Sequence, residues 1–365
     1  MKVQLQYPWK FSDSPYYKYL TINPPEGIEY LNVPSEGVIT SKKKFSLMSK
    51  VKGVLRSVLK FVKIPNLTIT KKGDYDLIHC CHCLSLNNNP WVVDVEHYWN
   101  FSSSGEISYS DTGMKRIKKS LKKPNCKKIL AWSNDCKRTI IEAMKDKEIE
   151  KKIEVVYPAI QIPKGIYLPR EEINLLFVGR YFYGKGGHHA LKIFDRLTQL
   201  FPEIKCVVVS NVPSDIKTQY MTNKQIKIYD IMSQEKLFKL YEKSSIFFYP
   251  GYSDTFGFAL LEAMSFGLPI VTAEGFAKRE IVESGHTGVI IPTGDVNWIN
   301  GVPRFENEEM LLKNFINVLT SMIKLKNIRQ RMGENAYNEI NSGKFSIQHR
   351  NEQLKRIYAE ALHEI

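Results

Sequence analysis

SIFFYPGYSDTFGFALLEAMSFGLPIV, Ser245–Val271, reads as three elements in order. Ser245 to Tyr249 is a short run of large apolar residues, the pattern of a strand buried on both faces. Pro250 to Thr255 is a loop. From Gly257 the spacing of Phe258, Leu261, Glu262 and Met264 predicts a helix, which Gly267 and Pro269 bring to an end. A strand, a loop and a helix leading into a second apolar run is the beginning of a parallel βαβ unit. The helix opens at the carboxyl end of the strand, so its first N–H groups, near Gly257, Phe258 and Ala259, form an anion site suited to a diphosphate. Asp254 stays in the loop and Glu262 lies about one turn into the helix. The two carboxylates are therefore spaced to meet a sugar and a ribose along one ligand.

The same alternation runs through the chain twice. MKVQLQY, IEYLNV, LTIT, DLIHCC, PWVVDVE, KKILAWS and IEVVYP read as strands of a first sheet. NLLFVGR, KCVVVSN, IKIYD, SIFFYPG, PIVTAE and GVIIP read as strands of a second. Strands separated by helices imply parallel sheets with ligands at their carboxyl ends. The fold class is α/β, with two doubly wound, Rossmann-like domains facing across a cleft. Residues 1–163 are the first domain, 168–340 the second and 341–365 a terminal helix that returns to the first. AIQIPKGIYLPRE, Ala159–Glu171, with its prolines and glycine, reads as the hinge.

A chain of 365 residues with 43% hydrophobic content exceeds one comfortable core, which agrees with two domains. No apolar run reaches the roughly 18 to 20 residues that span a bilayer, and MKVQLQYPWKFSDSP lacks the apolar core of a secretory signal. A cytoplasmic address and reduced cysteines are expected. The net charge of +14 is uneven, since residues 1–160 hold 27 Lys and Arg against 16 Asp and Glu. Two acid-free stretches carry the excess, around Lys42–Lys63 and Lys115–Lys128. In the first, Leu47, Val51, Val54, Leu55, Val58 and Val62 recur at steps of three and four, an amphipathic helix with lysines off its stripe. That pattern serves either a helix packed on a sheet or one lying on the anionic inner face of a membrane, and the sequence leaves both open.

Upstream of the opening stretch, LLFVGRYFYGKGGHHALKIF places Arg180, Lys185 and the glycines Gly179, Gly184, Gly186 and Gly187 after a strand and before a helix. Two cations there, with glycines allowing the backbone close to a ligand, fit charge developing on a leaving diphosphate. The spacing is neither a P-loop nor a dinucleotide fingerprint. FVGRYFYGKGG, DTFGFALLE and GFAKREIVESGHTGVII, in that order, resemble the retaining glycosyltransferases of family 4, which have the GT-B architecture. The first acid of the pair is Asp254 where that family usually has Glu. The resemblance implies hexosyl transfer from a nucleoside diphosphate sugar, UDP- or GDP-linked, to an acceptor lipid or glycan hydroxyl, with no metal or other cofactor. It assigns Arg180 and Lys185 to the diphosphate and Asp254 to the sugar. Glu262 goes to the ribose, and Gly179, Gly186, Thr255, Phe256, Gly257 and Phe258 to the remaining donor contacts.

The first half is similar to that family more loosely. VVDVEHYW stands where it has a strand ending in a cleft-facing His, which puts His97 at the donor sugar. The glycine loop that many members carry after the first strand is replaced here by YPWKFSDSPYYKYL. DLIHCCHC, Asp76–Cys83, looks like a metal centre, but neighbours on a strand point to opposite faces and cannot converge on one ion. It reads as a core strand whose tip, at His79 or His82, faces the acceptor. The rival readings are an epimerase or phosphorylase of the same fold, which shares the phosphate crevice, and a basic nucleic-acid-binding protein. The last lacks a recognition motif and leaves the second domain without a role, so no nucleic acid partner is expected.

Overall fold

The computed structural model describes residues 1–8, 15–33, 60–163, 170 and 172–363. Most of the Lys42–Lys63 stretch and the middle of the hinge lie outside the described residues. The chain divides into two units, Met1–Ile160 with Lys344–Ile365, and Gln161–Gly343. No helix among the described residues is long and apolar enough to cross a membrane.

The first unit is built on strands β1 (Lys2–Gln6), β2 (Glu29–Leu31), β3 (Leu77–Cys81), β4 (Trp91–Val95), β5 (Cys126–Ala131) and β6 (Ile153–Val155). All pair in parallel, in the order β2-β1-β3-β4-β5-β6. Every residue of β3 and β4 is buried, as a parallel sheet covered on both faces requires. Alternation sends Ile78, Cys80, Trp91, Val93 and Val95 into one apolar core with Ile129 and Ile140. His79 and Asp94 go to the opposite face.

On that face a polar network stands where an apolar layer is usual. The Asp94 carboxylate is wholly buried, takes the Tyr17 hydroxyl at 3.0 Å from both its oxygens, and accepts from Trp132 Nε1 at 2.9 Å. His79 Nε2 lies 3.4 Å from Asp94 Oδ1, and its Nδ1 is 2.6 Å from the hydroxyl of Tyr358. Tyr358 belongs to the terminal helix, Ile347–His363, and its hydroxyl also meets that of Tyr30 at 3.0 Å. Buried Arg350 of the same helix donates to the Asn23 carbonyl at 2.7 Å. The terminal helix is thus fastened to the first unit by polar groups that are largely buried.

The second unit repeats the plan with β7 (Asn174–Gly179), β8 (Lys205–Ser210), β9 (Ile226–Tyr229), β10 (Ile246–Tyr249), β11 (Ile270–Ala273) and β12 (Gly288–Ile291). They too pair in parallel, in the order β9-β8-β7-β10-β11-β12. The helix Gly187–Leu200 buries Ala190, Leu191, Ile193, Phe194 and Leu197. Beyond β12 an antiparallel hairpin, Val296–Ile299 with Val302–Phe305, turns on Asn300 and Gly301, both at positive φ. Strand order reverses between β7 and β10, the point at which ligands bind in open parallel sheets.

Burial alone would raise the Asp94 carboxyl, but His79 and the Trp132 donor outweigh it and hold the group below its ordinary 3.8. A carboxyl lowered by folding contributes stability above the unfolded value and loses it as the pH falls through the folded one. Asp94→Ala leaves the Tyr17 and Trp132 donors buried without an acceptor, and a loss of about 3–5 kcal/mol is expected. Urea unfolding at pH 7 measures it; a midpoint equal to that of the wild type would contradict the network's role.

Candidate functional site

Two loops meet at the reversal in the second unit. One follows β7 from Arg180 to the helix at Gly187, and the other follows β10 from Pro250 to the helix Phe258–Ser265. Their backbones are joined by Gly251 N to the Lys185 carbonyl and Ser253 N to the Gly184 carbonyl, each at 3.0 Å. The glycines make this contact possible. A Cβ on Gly186 would lie 2.5 Å from Pro250 Cβ, and one on Gly184 would lie 2.6 Å from Ser253 Oγ. Gly186 also sits at φ +81, where other residues are strained. At Gly186 the packing of loop against loop by itself requires the missing side chain. At Gly179 the close contact is within one loop, where a Cβ would meet that of Lys185 at 2.7 Å.

Side chains complete the junction. Lys185 Nζ is 2.8 Å from Asp254 Oδ1, and the Tyr249 hydroxyl donates to Asp254 Oδ2 at 2.6 Å. Burial works to raise the Asp254 carboxyl, while the Lys185 ammonium and the Tyr249 hydroxyl outweigh it, so the group remains an anion. The next helix opens at Gly257, in the left-handed region at φ +98. Its first-turn amides leave the helix at that end and favour an anion there. Glu262, on the second turn, is 9% exposed and lies 3.4 Å from the hydroxyl of Tyr241. Thr255 is half-buried beside this helix start. Phe256 is 1% exposed with its ring against Phe258, so it offers a ligand backbone only.

Lys278 was not visible as a site residue in the sequence. It follows β11 in the block GFAKREIVESG, is wholly buried, and donates to the carbonyls of Pro250 at 3.1 Å and Gly251 at 2.6 Å. Burial pushes its ammonium down to about 7, against the pull of Asp254. The only hint was a lysine directly after an apolar pair in the loop that follows a buried strand. Tyr249, partner of Asp254, reads in the sequence only as the end of a buried strand, and nothing there singles out Tyr241, partner of Glu262.

The remaining expected residues belong to the first unit. His97 follows β4, is 5% exposed, and stacks on Trp99 with ring centroids 3.4 Å apart. Burial, with Arg138 adding to it, pushes its imidazole down to about 4, so it is neutral at pH 7. His79 is corrected: enclosed between Asp94 and Tyr358, it lines no surface, because its strand position faces the terminal helix. His82 stands just beyond β3 at φ +56, half-buried, with its ring 5.0 Å from that of Trp132. All six cysteines are buried free thiols, and among the described residues no three His, Cys, Asp or Glu are grouped to hold a metal ion.

Residues 161–339 match the family model for glycosyl transferases group 1. An uncharacterized glycosyltransferase of Haemophilus influenzae is 26% identical over 263 residues, covering 70% of this chain and 69% of that one. The phosphatidylinositol N-acetylglucosaminyltransferase gpi3 subunit of Schizosaccharomyces pombe is 19% identical over 207 residues, 53% of this chain and 45% of the other. Among solved structures, HepE of Anabaena in complex with UDP-glucose aligns with a TM-score of 0.62 at 13% identity, over 98% of this chain and 99% of that one. That likeness carries the fold, GT-B.

Gly186→Ala forces a methyl into Pro250 at a strained φ, and a loss of about 1–3 kcal/mol is expected. Chemical denaturation checks it, and an unchanged midpoint would show that the loops are free to separate.

Proposed function

Because the chain belongs, through residues 161–339, to the glycosyl transferases group 1 family, we propose that it moves a hexosyl unit from a nucleoside diphosphate sugar to an acceptor hydroxyl with retention at the anomeric carbon. The observation that carries this reading is the Lys185–Asp254 pair at the strand-order reversal, beside a helix that opens toward it. A fixed ammonium and a row of amides favour the charge that appears on a departing diphosphate. In the transfer, the bond between the anomeric carbon and the phosphate oxygen breaks with its electron pair passing to the diphosphate. The acceptor oxygen bonds to the same carbon, and its proton goes to the phosphate oxygen that leaves.

Each residue has a part in this scheme. Lys185 and Arg180 hold the diphosphate with the amides after Gly257. Asp254, ionised and held by Tyr249, accepts from sugar hydroxyls, and Glu262 accepts from the ribose. His97 is neutral at pH 7 and can serve a ligand as a hydrogen-bonding group rather than a charge. UDP-sugars are the first donors to test, because the Anabaena structure is a complex with UDP-glucose. A membrane lipid is the acceptor class we favour. Lys115 and Lys119 are exposed on the helix Asp111–Leu121, and Arg116 binds the carbonyls of Val62 and Lys63 beside Phe61, which is 88% exposed. An exposed aromatic among cations is suited to an anionic lipid surface. Lys122 and Lys128 add little, being paired with Asp146 and Glu148, and with Glu154 and Glu360.

The test supplies labelled UDP- and GDP-sugars with extracted lipids in anionic or neutral vesicles. Label in the lipid phase, greater with anionic vesicles, is the expected result; isomerised or intact donor in every arm would overturn the reading. Lys185→Ala is expected to slow transfer by ~10²-fold or more, and near-normal turnover would remove it from the diphosphate. Glu262→Gln is expected to weaken binding of free UDP by ~10-fold, about the worth of one charged hydrogen bond, as calorimetry would record.

A further inference from the structure

We propose that Lys278 is a positioning residue for transfer: its buried ammonium clasps the loop that carries Asp254 and sets where that carboxylate stands. The proposal rests on the reading that Asp254 serves the donor sugar.

Lys278 is completely enclosed, so it touches neither donor nor acceptor, and its effect on a reaction has to pass through what it holds. It holds two consecutive carbonyls, those of Pro250 and Gly251, at 3.1 and 2.6 Å. Gly251 is where the chain turns, at φ +60, and its N–H is spent on the Lys185 carbonyl. Asp254 N donates back to the Gly251 carbonyl at 3.3 Å, so the carboxylate is one short turn from the clasp. A second tie runs parallel to the first, from Ala277 N to the Thr255 carbonyl at 3.4 Å. The turn before Lys278 curls over the ammonium: a Cβ at Gly275, itself at φ +130, would lie 4.0 Å from Nζ.

An ammonium buried only to satisfy two carbonyls is a poor stabiliser, because taking the charge out of water costs several kcal/mol. Nor do those carbonyls need it. The Pro250 carbonyl also accepts from Ala273 N at 3.3 Å, and the Gly251 carbonyl from Asp254 N, so each keeps a partner when the lysine is removed. What the lysine adds is a side-chain bond to the turn at Gly251, beside the two backbone ties that β11 and the segment after it already make to this loop, from Ala273 N to Pro250 and from Ala277 N to Thr255. Methionine matches its volume without the charge, which separates the clasp from the packing. Two charges act on the ammonium, Asp254 in its favour and Lys185 against it. With its proton lost near pH 7, the clasp loosens as the pH rises through neutrality, because the neutral amine makes weaker bonds to the same carbonyls.

The experiment compares the wild-type chain with Lys278→Met and Lys278→Arg. Amide hydrogen exchange of a peptide covering Pro250–Gly257 is expected to quicken in the Met variant while exchange elsewhere in the second unit is unchanged. Transfer is expected to fall ~10- to 10²-fold in kcat, the scale of a misplaced catalytic group, with UDP affinity within about twofold. The decline of wild-type transfer above neutral pH should vanish in Lys278→Met, and Lys278→Arg should restore part of the rate. Exchange at wild-type rates in that peptide would overturn the clasp whether or not any sugar is moved. Exchange quickened throughout the unit, with UDP affinity lost in parallel, would make Lys278 merely structural and overturn the proposal. Quickened local exchange with undiminished transfer would overturn its positioning role. A wild-type chain that binds UDP but moves no sugar would bring down the donor reading and the positioning role together, while the exchange result still decides the clasp.

Discussion

Strands β7 and β10 are neighbours in the sheet, yet the chain leaves them on opposite courses. From β7 it passes through Gly187–Leu200 to β8, and from β10 through Phe258–Ser265 to β11 on the other side. Connections that diverge from adjacent strands leave a gap at the strand ends. Here the first residues of both loops are drawn into that gap and packed on each other. Gly184 and Gly186 let the backbones touch, Lys185 and Asp254 close the contact with opposite charges, and Tyr249 fixes the second carboxylate oxygen from below. The helix that opens at Gly257 inherits its direction from this junction.

Buried charge is the second recurring feature, and the two units handle it alike. Asp94 and Lys278 are both sealed from water, and each is surrounded by groups of the opposite character. Asp94 draws two hydroxyl contacts and an indole N–H, and Lys278 draws two carbonyls. Such groups gain little net stability from burial, since attraction and desolvation nearly cancel. They gain geometry: a charge that is costly to unpair keeps its partners at one distance and one angle.

The strands were legible because parallel strands covered on both faces must be written as short apolar runs, and all six of the second unit stand where KCVVVSN, SIFFYPG and their fellows place them. Alternation also separated the two faces of DLIHCC correctly. What lay beyond reach was which distant residue would meet each face: nothing near His79 announces Tyr358, 279 positions later. The glycines after β7 were noticed, but whether a missing side chain makes room for a ligand or for Pro250 is decided by the loop opposite. Lys278 was not singled out for the same reason: the carbonyls it meets lie some 27 positions upstream. The hairpin after β12 is a different case. Asn300–Gly301 between apolar residues is a strong local turn signal, for an antiparallel pair that stands outside the run of parallel strands.

The first unit is made of two separated pieces of chain, and the second of one. During synthesis the second unit is therefore complete once Gly343 has emerged, while the first still lacks the helix that covers His79 and Asp94. Until residues 344–363 arrive, the His79 imidazole lacks the Tyr358 hydroxyl that it meets in the complete unit. The half of the molecule translated first is thus the half whose last element is translated last.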